Sequence, residues 1–142
     1  PGLRMIEKYA VVCGGGRSHR LGLDNGIMLK DNHIAVAGSI AAAVSRAKAF
    51  APVLTKIEVE CDRLDQVEEA LAAGVDMIML DNMANPDMAT AVAMVNKRIP
   101  LECSGGVRLD TIRAKAETGV DYISVGRITQ SAVCVDIGLD DL

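Results

Sequence analysis

The sequence predicts an α/β fold built on a parallel sheet, and three observations predict it. Five short apolar or alternating runs, near residues 27–29, 56–61, 77–80, 101–103 and 122–125, are separated by stretches with helical spacing. Alternation of this kind implies parallel strands joined by right-handed crossovers. Gly74-Val75-Asp76-Met77-Ile78 and Gly119-Val120-Asp121-Tyr122-Ile123 repeat one junction, a glycine stop followed by Val-Asp and a strand, as repeated αβ units would. Hydrophobic residues make up 50% of the chain while only Tyr9, Phe50 and Tyr122 are aromatic. The core must therefore be filled by Ala, Val, Ile, Leu and Met, which suits helices packed on parallel strands. A barrel-like sheet and a doubly wound sheet both satisfy these patterns.

Each element has its own justification. Leu3, Ile6 and Ala10 lie at helical spacing behind Pro1 and Gly2, and the Gly14-Gly15-Gly16 run ends that first helix. Ile27-Met28-Leu29 reads as a buried strand, from whose end Lys30 emerges, and Asp31-Asn32-His33 suits a strand-to-helix turn. The alanine-rich stretch from Gly38 to Ala51 favours helix and Pro52 terminates it. Lys56 to Cys61 alternates strictly, with Ile57, Val59 and Cys61 on one face and Lys56, Glu58 and Glu60 on the other. In an isolated sheet the charged face would be solvated; in a strand flanked by helices it must line a polar interior and meet other charges. Asp62 can cap the next helix, whose Leu64, Val67 and Leu71 share a face and which Gly74 stops. Met77 to Leu80 is a strand, with Met77 and Met79 read as core filler. Asn85-Pro86 starts a helix that buries Met88, Val92 and Val95. Leu101 to Cys103 is the next strand, a helix with Leu109, Ile112 and Ala116 follows, and Tyr122 to Val125 closes the series. Val133 to Leu139 reads as one more extended piece.

Composition excludes several classes. Fifteen Lys and Arg against nineteen Asp and Glu give a net charge of −4, which with so few aromatics argues against a nucleic-acid binder. Cys13, Cys61, Cys103 and Cys134 are widely spaced without a C-x-x-C pair, favouring reduced thiols over a zinc module or disulfide framework. No apolar run approaches the roughly 18 residues of a membrane span. A soluble, cytoplasmic protein is expected. The 142 residues are read as one domain, 1–142, short of the about 250 that a closed eight-stranded barrel needs. Residue 1 is Pro and the helical pattern begins almost at once, so we expect the natural polypeptide to extend before it.

The densest chemistry lies between Cys13 and Ile34, which holds three consecutive glycines, both histidines and the cations Arg17, Arg20 and Lys30. Glycines free the backbone to aim His19 and Arg20 at an anion, although glycine-rich segments are also ordinary loops. Ligands of parallel α/β folds bind at the C-terminal strand ends. This rule gathers Lys30, Glu60, Asp81, Ser104-Gly105-Gly106 and Gly126-Arg127 on one rim. Glu60 and Asp81 could hold Mg²⁺ or stabilise a developing cation, and the glycine turns could offer backbone N–H groups to a phosphate. Asp81 with Asn82, and Ser104-Gly105-Gly106, serve equally well as plain turns. His33 is assigned to loop hydrogen bonds rather than metal, and Glu58 stays ambiguous.

PGLRMIEKYAVVCGGGRSHRLGL, IMLKDNHI, IEVEC, MIMLDNM, CSGGV and VGRITQSA, in this order, closely resemble the C-terminal barrel of the quinolinate phosphoribosyltransferases, also called nicotinate-nucleotide pyrophosphorylases (carboxylating). A related molybdenum-transport homologue shares the Gly-His-Arg portion but not Lys30 to His33. The resemblance implies an incomplete TIM-like αβ barrel with parallel strands, lacking the family's N-terminal sandwich domain. It also implies conversion of quinolinate and phosphoribosyl pyrophosphate to nicotinate mononucleotide, pyrophosphate and CO₂, with Mg²⁺, in NAD biosynthesis, by a cytoplasmic homodimer. His19, Arg20 and Lys30 would bind the quinolinate carboxylates. Glu60 and Asp81 would address the ribose and the Mg²⁺-pyrophosphate, so Lys30, Glu60 and Asp81 are the expected catalytic residues. Ser104, Gly105, Gly106 and Gly126, with Arg127 where the family more often has alanine, would meet the 5′-phosphate. A cationic strand end before Pro1 and an arginine from the neighbouring subunit belong to the family's site, so this chain alone is expected to be inactive. The alternative is a non-catalytic barrel module that binds a phosphate or sugar phosphate.

Overall fold

The structure, a computed structural model, describes residues 2–139, so Pro1 lies outside the described residues. Its five strands are β1 (Ile27–Leu29), β2 (Ile57–Cys61), β3 (Met77–Asp81), β4 (Leu101–Ser104) and β5 (Tyr122–Ile123). They form one parallel sheet in the order β1-β2-β3-β4-β5. A doubly wound sheet reverses its strand order part-way; here every strand pairs with its sequence neighbour, the winding of a barrel wall. The helices are α1 (Arg4–Cys13), α2 (Asp31–Ala37), α3 (Ile40–Phe50), α4 (Leu64–Ala73), α5 (Asn85–Val95), α6 (Ile112–Ala116) and α7 (Arg127–Gln130).

The core occupies one face of the sheet. Leu29, Ile57, Val59, Cys61, Ile78, Leu80, Leu101 and Cys103 pack against Ile40, Val44, Val67, Ala70, Met88, Ala91 and Val95 from α3, α4 and α5. Each large aliphatic side chain fully buried in this layer contributes about 1.5–3 kcal/mol. Strand parity then assigns Met28, Glu58, Glu60, Met77, Met79, Asp81, Glu102 and Tyr122 to the opposite face. Met79 is buried but stands outside the apolar cluster, between Glu60 and Glu102 in the register. Met79 is thus the buried filler that the sequence suggests, on the charged face of the sheet, and Met77 is half-buried on that same face.

The repeated Val-Asp junction has a physical cause. Asp76 Oδ2 accepts the Ile57 N–H at 2.8 Å, and Asp121 Oδ2 accepts the Leu101 N–H at 2.9 Å. Each aspartate also donates its own N–H to the carbonyl of that same residue. The motif therefore fixes the register at the start of two strand pairs, and the Leu101 N–H together with the Lys97 ammonium lowers the Asp121 pKa. Gly74, at φ +70, ends α4 in the left-handed region where a Cβ is disfavoured.

Several local expectations need correction. Asp31-Asn32-His33 is the first turn of α2 rather than a connecting turn, because Lys30 N donates to His33 Nδ1 at 2.9 Å and starts the helix there; His33 makes the expected hydrogen bond, but at a helix N-terminus and not in a loop. Asp62 does not cap α4. Arg63 is the N-cap residue, and Gln66 Oε1 accepts from the N–H groups of both Asp62 and Arg63. Leu109 is exposed and lies outside α6, whose Ala116 is also exposed; Ile112 alone of that trio packs on the core, because the helix spans only Ile112–Ala116. The apolar face of α1 finds no cover among the described residues, where Leu3, Met5, Ile6, Tyr9 and Val12 are exposed. Residues 132–139 pair with no strand, leaving Val133, Val135, Ile137 and Leu139 open to solvent.

Replacing Ile78, which is 0% exposed in the central strand, with alanine is expected to cost about 2–5 kcal/mol in urea unfolding. Val53→Ala on the exposed loop should stay within about 0.5 kcal/mol of the parent chain.

Candidate functional site

Because the sheet is wholly parallel, all five C-terminal strand ends fall on the same rim. Lys30 follows the last residue of β1, Glu60 is next to last in β2, Asp81 and Ser104 close β3 and β4, and Gly126 lies shortly after β5. The Lys30 ammonium is ion-paired with Glu60 Oε2 across the β1–β2 boundary. Asp81 and Ser104 are direct register partners. The sequence-predicted rim is thus assembled as expected.

Asn82 organises its centre, a role the sequence reading missed. Its backbone takes a positive φ of 53°, its N–H donates to the Ser104 carbonyl at 3.0 Å, and its Nδ2 donates to Asp81 Oδ2 at 2.7 Å. Its side chain lies over Gly105, where an added Cβ would come within 2.2 Å of Asn82 Oδ1. Gly105 also holds φ +85, so two independent constraints require glycine there. The Ser104-Gly105-Gly106 turn does not itself open a helix, since α6 starts only at Ile112. Gly126 is the N-cap residue of α7, with no atom where a Cβ would stand. Arg127 is the exposed first residue of that helix and enters no ion pair among those of the described residues.

His19 sits deeper on the same sheet face. Its Nε2 lies 3.0 Å from Glu58 Oε2 and 3.1 Å from Glu102 Oε2. Glu58 precedes Glu60 by two residues, and Glu102 precedes Ser104 by two, so this cluster lies about 7 Å below the rim. The Glu102 and Glu58 carboxylates raise the His19 pKa to about 10 against the opposing effect of burial. Glu58 Oε1 and Glu102 Oε1 are buried with no hydrogen-bond partner among the described residues. Glu102 was not legible as a functional residue; the available signal was its parity with Ser104. Glu58, ambiguous in the sequence, is a buried member of the charged face.

A broad cleft of about 1420 Å³ opens over this cluster. Its wall includes His19, Arg20 and the N-terminal strand flanks Lys56, Asp76 and Asp121, but not Lys30, Glu60, Asp81 or Ser104. The candidate residues therefore share one face at two depths: Lys30, Glu60, Asp81 and Ser104 at the rim, His19 and Arg20 in the cleft below. All four cysteines are free thiols, and burial pushes Cys61 up to about 12, leaving it unreactive. No helix among the described residues is long and apolar enough to cross a membrane.

The family model described as "Quinolinate phosphoribosyl transferase, C-terminal domain" matches residues 1–140. The chain belongs to the quinolinate phosphoribosyl transferase family. It is 47% identical to a probable nicotinate-nucleotide pyrophosphorylase [carboxylating] of Bacillus subtilis, covering 99% of this chain and 48% of that protein. It is 39% identical to the nicotinate-nucleotide pyrophosphorylase [carboxylating] of Rattus norvegicus, covering 98% of this chain and 48% of the relative. A crystal structure of a NadC deletion mutant superimposes with a TM-score of 0.92 at 47% identity, over 96% of this chain and 48% of that one. The Francisella tularensis nicotinate-nucleotide pyrophosphorylase gives 0.88 at 46% identity, over 92% and 46%. Thiamine phosphate pyrophosphorylase from Pyrococcus furiosus, 20% identical with a TM-score of 0.57 over 87% of this chain and 65% of its own, shares the fold alone. The chain spans about half the length of the relatives it matches. The five parallel strands in sequence order agree with the αβ barrel that the resemblance implies.

Two outcomes test this geometry. Gly105→Ala is expected to cost about 1–3 kcal/mol, and less in an Asn82→Ala background, where the collision is gone and the φ strain remains; a double-mutant cycle in urea measures the difference. The His19 pKa rises from 6.5 to about 10 on folding. The folded chain therefore holds a proton that the unfolded chain loses across this interval, so the His19 contribution is fully present below pH 6.5 and disappears as pH rises through 10. Unfolding free energies of the parent chain should decline over that window relative to His19→Asn.

Proposed function

We propose that this chain carries the diacid and phosphoribosyl sites of a decarboxylating phosphoribosyl transfer, in which quinolinate and phosphoribosyl pyrophosphate give nicotinate mononucleotide, pyrophosphate and CO₂ in NAD biosynthesis. The observation that carries the reading is the placement of the Lys30–Glu60 pair, Asp81 and the Ser104-Gly105 turn at one rim, with His19 lower on the same sheet face against Glu58 and Glu102.

A pyridine dicarboxylate needs fixed cations. Arg20 offers a bidentate fork, while Lys30 and His19 supply point donors. Lys30 is held by Glu60 in the free chain, so an incoming carboxylate competes for that ammonium and frees Glu60 toward the ribose. The pyridine nitrogen attacks the anomeric carbon as the bond to pyrophosphate breaks, and positive charge develops on the ribose ring. Glu60 and Asp81 stabilise that charge. The pyridinium then accepts the electron pair of the breaking bond to the 2-carboxylate, CO₂ leaves, and a proton from water replaces it. No covalent enzyme intermediate is required. Ser104, Gly105 and Gly106, with Gly126 and Arg127, receive the 5′-phosphate.

Glu60 and Asp81 fit a Mg²⁺ site in their chemistry. Both are hard oxygen donors, and Glu60 Oε1 and Asp81 Oδ1 have no hydrogen-bond partner among the described residues. When bound, Mg²⁺ would neutralise charge on the departing pyrophosphate. The working protein on this reading is a cytoplasmic homodimer, and the four free thiols agree with a reducing compartment. On this reading the 142-residue chain, which spans about half the length of its relatives, would bind substrate without turnover.

Calorimetry tests the assignment. Arg20→Ala and Lys30→Ala should each weaken quinolinate binding roughly tenfold to a hundredfold, the value of a charged hydrogen bond, with ribose 5-phosphate affinity nearly unchanged. Binding of ribose 5-phosphate without quinolinate would favour the phosphate-module reading, and binding of neither would remove the site.

A further inference from the structure

The cluster below the rim has more acceptor capacity than its own residues use. Glu102 is 1% exposed and Glu58 7%, and each keeps one buried oxygen without a partner. A buried carboxylate oxygen without a partner is costly, so each glutamate has a place for one more donor or a cation. Nε2 of His19 and one oxygen from each glutamate all lie within 4.8 Å of one another. The two oxygens now lie at hydrogen-bond distance from Nε2, 3.0 and 3.1 Å, and would part by a few tenths of an ångström to reach the edges of about 3.3–3.6 Å of a tetrahedral sphere with bonds of about 2.0–2.2 Å.

We propose that His19 Nε2, Glu58 and Glu102 form a site for one divalent transition-metal ion of the zinc class, separate from the Mg²⁺ proposed at Glu60 and Asp81. An imidazole nitrogen with two carboxylates suits zinc-class ions better than Mg²⁺, which prefers oxygen alone. A neutral imidazole, two carboxylates and a divalent ion sum to zero formal charge. The three ligands come from a loop and two strands, β2 and β4, that flank β3, and the open side of the cleft leaves room for water as a further ligand. Binding displaces the Nε2 proton to solvent, so the metal competes with that proton and its affinity rises with pH. Other charged groups lining the cleft are Arg17, Arg20, Asp24, Lys56, Asp76 and Asp121. Asp76 and Asp121 are already engaged with backbone N–H groups, and Asp24 is not among the three residues whose ligand atoms cluster within 4.8 Å. A metal here also withdraws His19 from the diacid site, a consequence that rests on the function proposed above.

Titration of Zn²⁺ into the metal-free chain should give one saturable equivalent, with an enthalpy that depends on the buffer because a proton is released. Glu102→Gln and Glu58→Gln should weaken it by about 100-fold or more, and His19→Asn should abolish it, with far-ultraviolet circular dichroism unchanged. The cobalt complex of the parent chain gives a readout that needs no variant. A d–d spectrum without thiolate charge transfer supports the site, whereas a thiolate band would place the ion on Cys13 or Cys134 and overturn it. Equal zinc affinity in the parent and His19→Asn, or no saturable binding, would also overturn it. Zn²⁺ should weaken quinolinate binding as well; failure of this arm alone would remove His19 from the diacid site and leave the metal site standing.

Discussion

Everything in this molecule depends on the two-residue repeat of a parallel strand held in register with its neighbours. Helices press on one face, so Ile57, Val59 and Cys61 turn toward them, and Glu58 and Glu60 have no choice but the other side. The same parity on β3 and β4 brings Asp81, Glu102 and Ser104 to that side. Sliding any strand by one residue would drive carboxylates into the apolar layer and aliphatic side chains into the cleft. The aspartates of the two Val-Asp junctions guard against that slip by tying the start of each strand to its partner. Fold stability and the placement of charge are thus one constraint, enforced on two faces.

That constraint also grades the charges by depth. At the rim, Lys30 and Glu60 balance each other and stay partly accessible, so their pairing can be exchanged for a ligand at small cost. Below it, two buried carboxylates share one partly exposed imidazole at the cleft floor, and each keeps an oxygen without a partner. On the function and the metal site proposed above, a diacid and a phosphate ester would use the accessible mixed-sign rim, and the divalent ion the cluster beneath it.

Much of this was legible in the sequence, and the reasons differ by element. Strands 57–61 and 77–81 announce themselves by strict alternation and by an unbroken apolar run, and strand direction then assigns Lys30, Glu60, Asp81 and Ser104 to a common rim. Glu102 gave no such signal, because its short strand reads as Leu-Glu-Cys with a single charged residue, and only its pairing with Met79 shows which way it faces. The descent of His19 onto Glu58 and Glu102 depends on how a glycine-rich loop folds back, which spacing does not encode. Asn82 read as a turn residue since its left-handed backbone and its contact over Gly105 are tertiary facts. Periodicity predicted an apolar face on α1 correctly without indicating what covers it.

The central claim is that the charged face of the sheet, and not the helix side or the loops, is where substrate meets the chain. The methionine methyls report on both sides, with Met28, Met77 and Met79 on the charged face and Met88 buried among the helices. In spectra of ¹³C-methyl-methionine chain titrated with quinolinate and pyrophosphate, the account predicts shifts at Met28, Met77 and Met79 with Met88 unmoved. Saturable binding that left those three methyls unchanged, or moved Met88 instead, would contradict it.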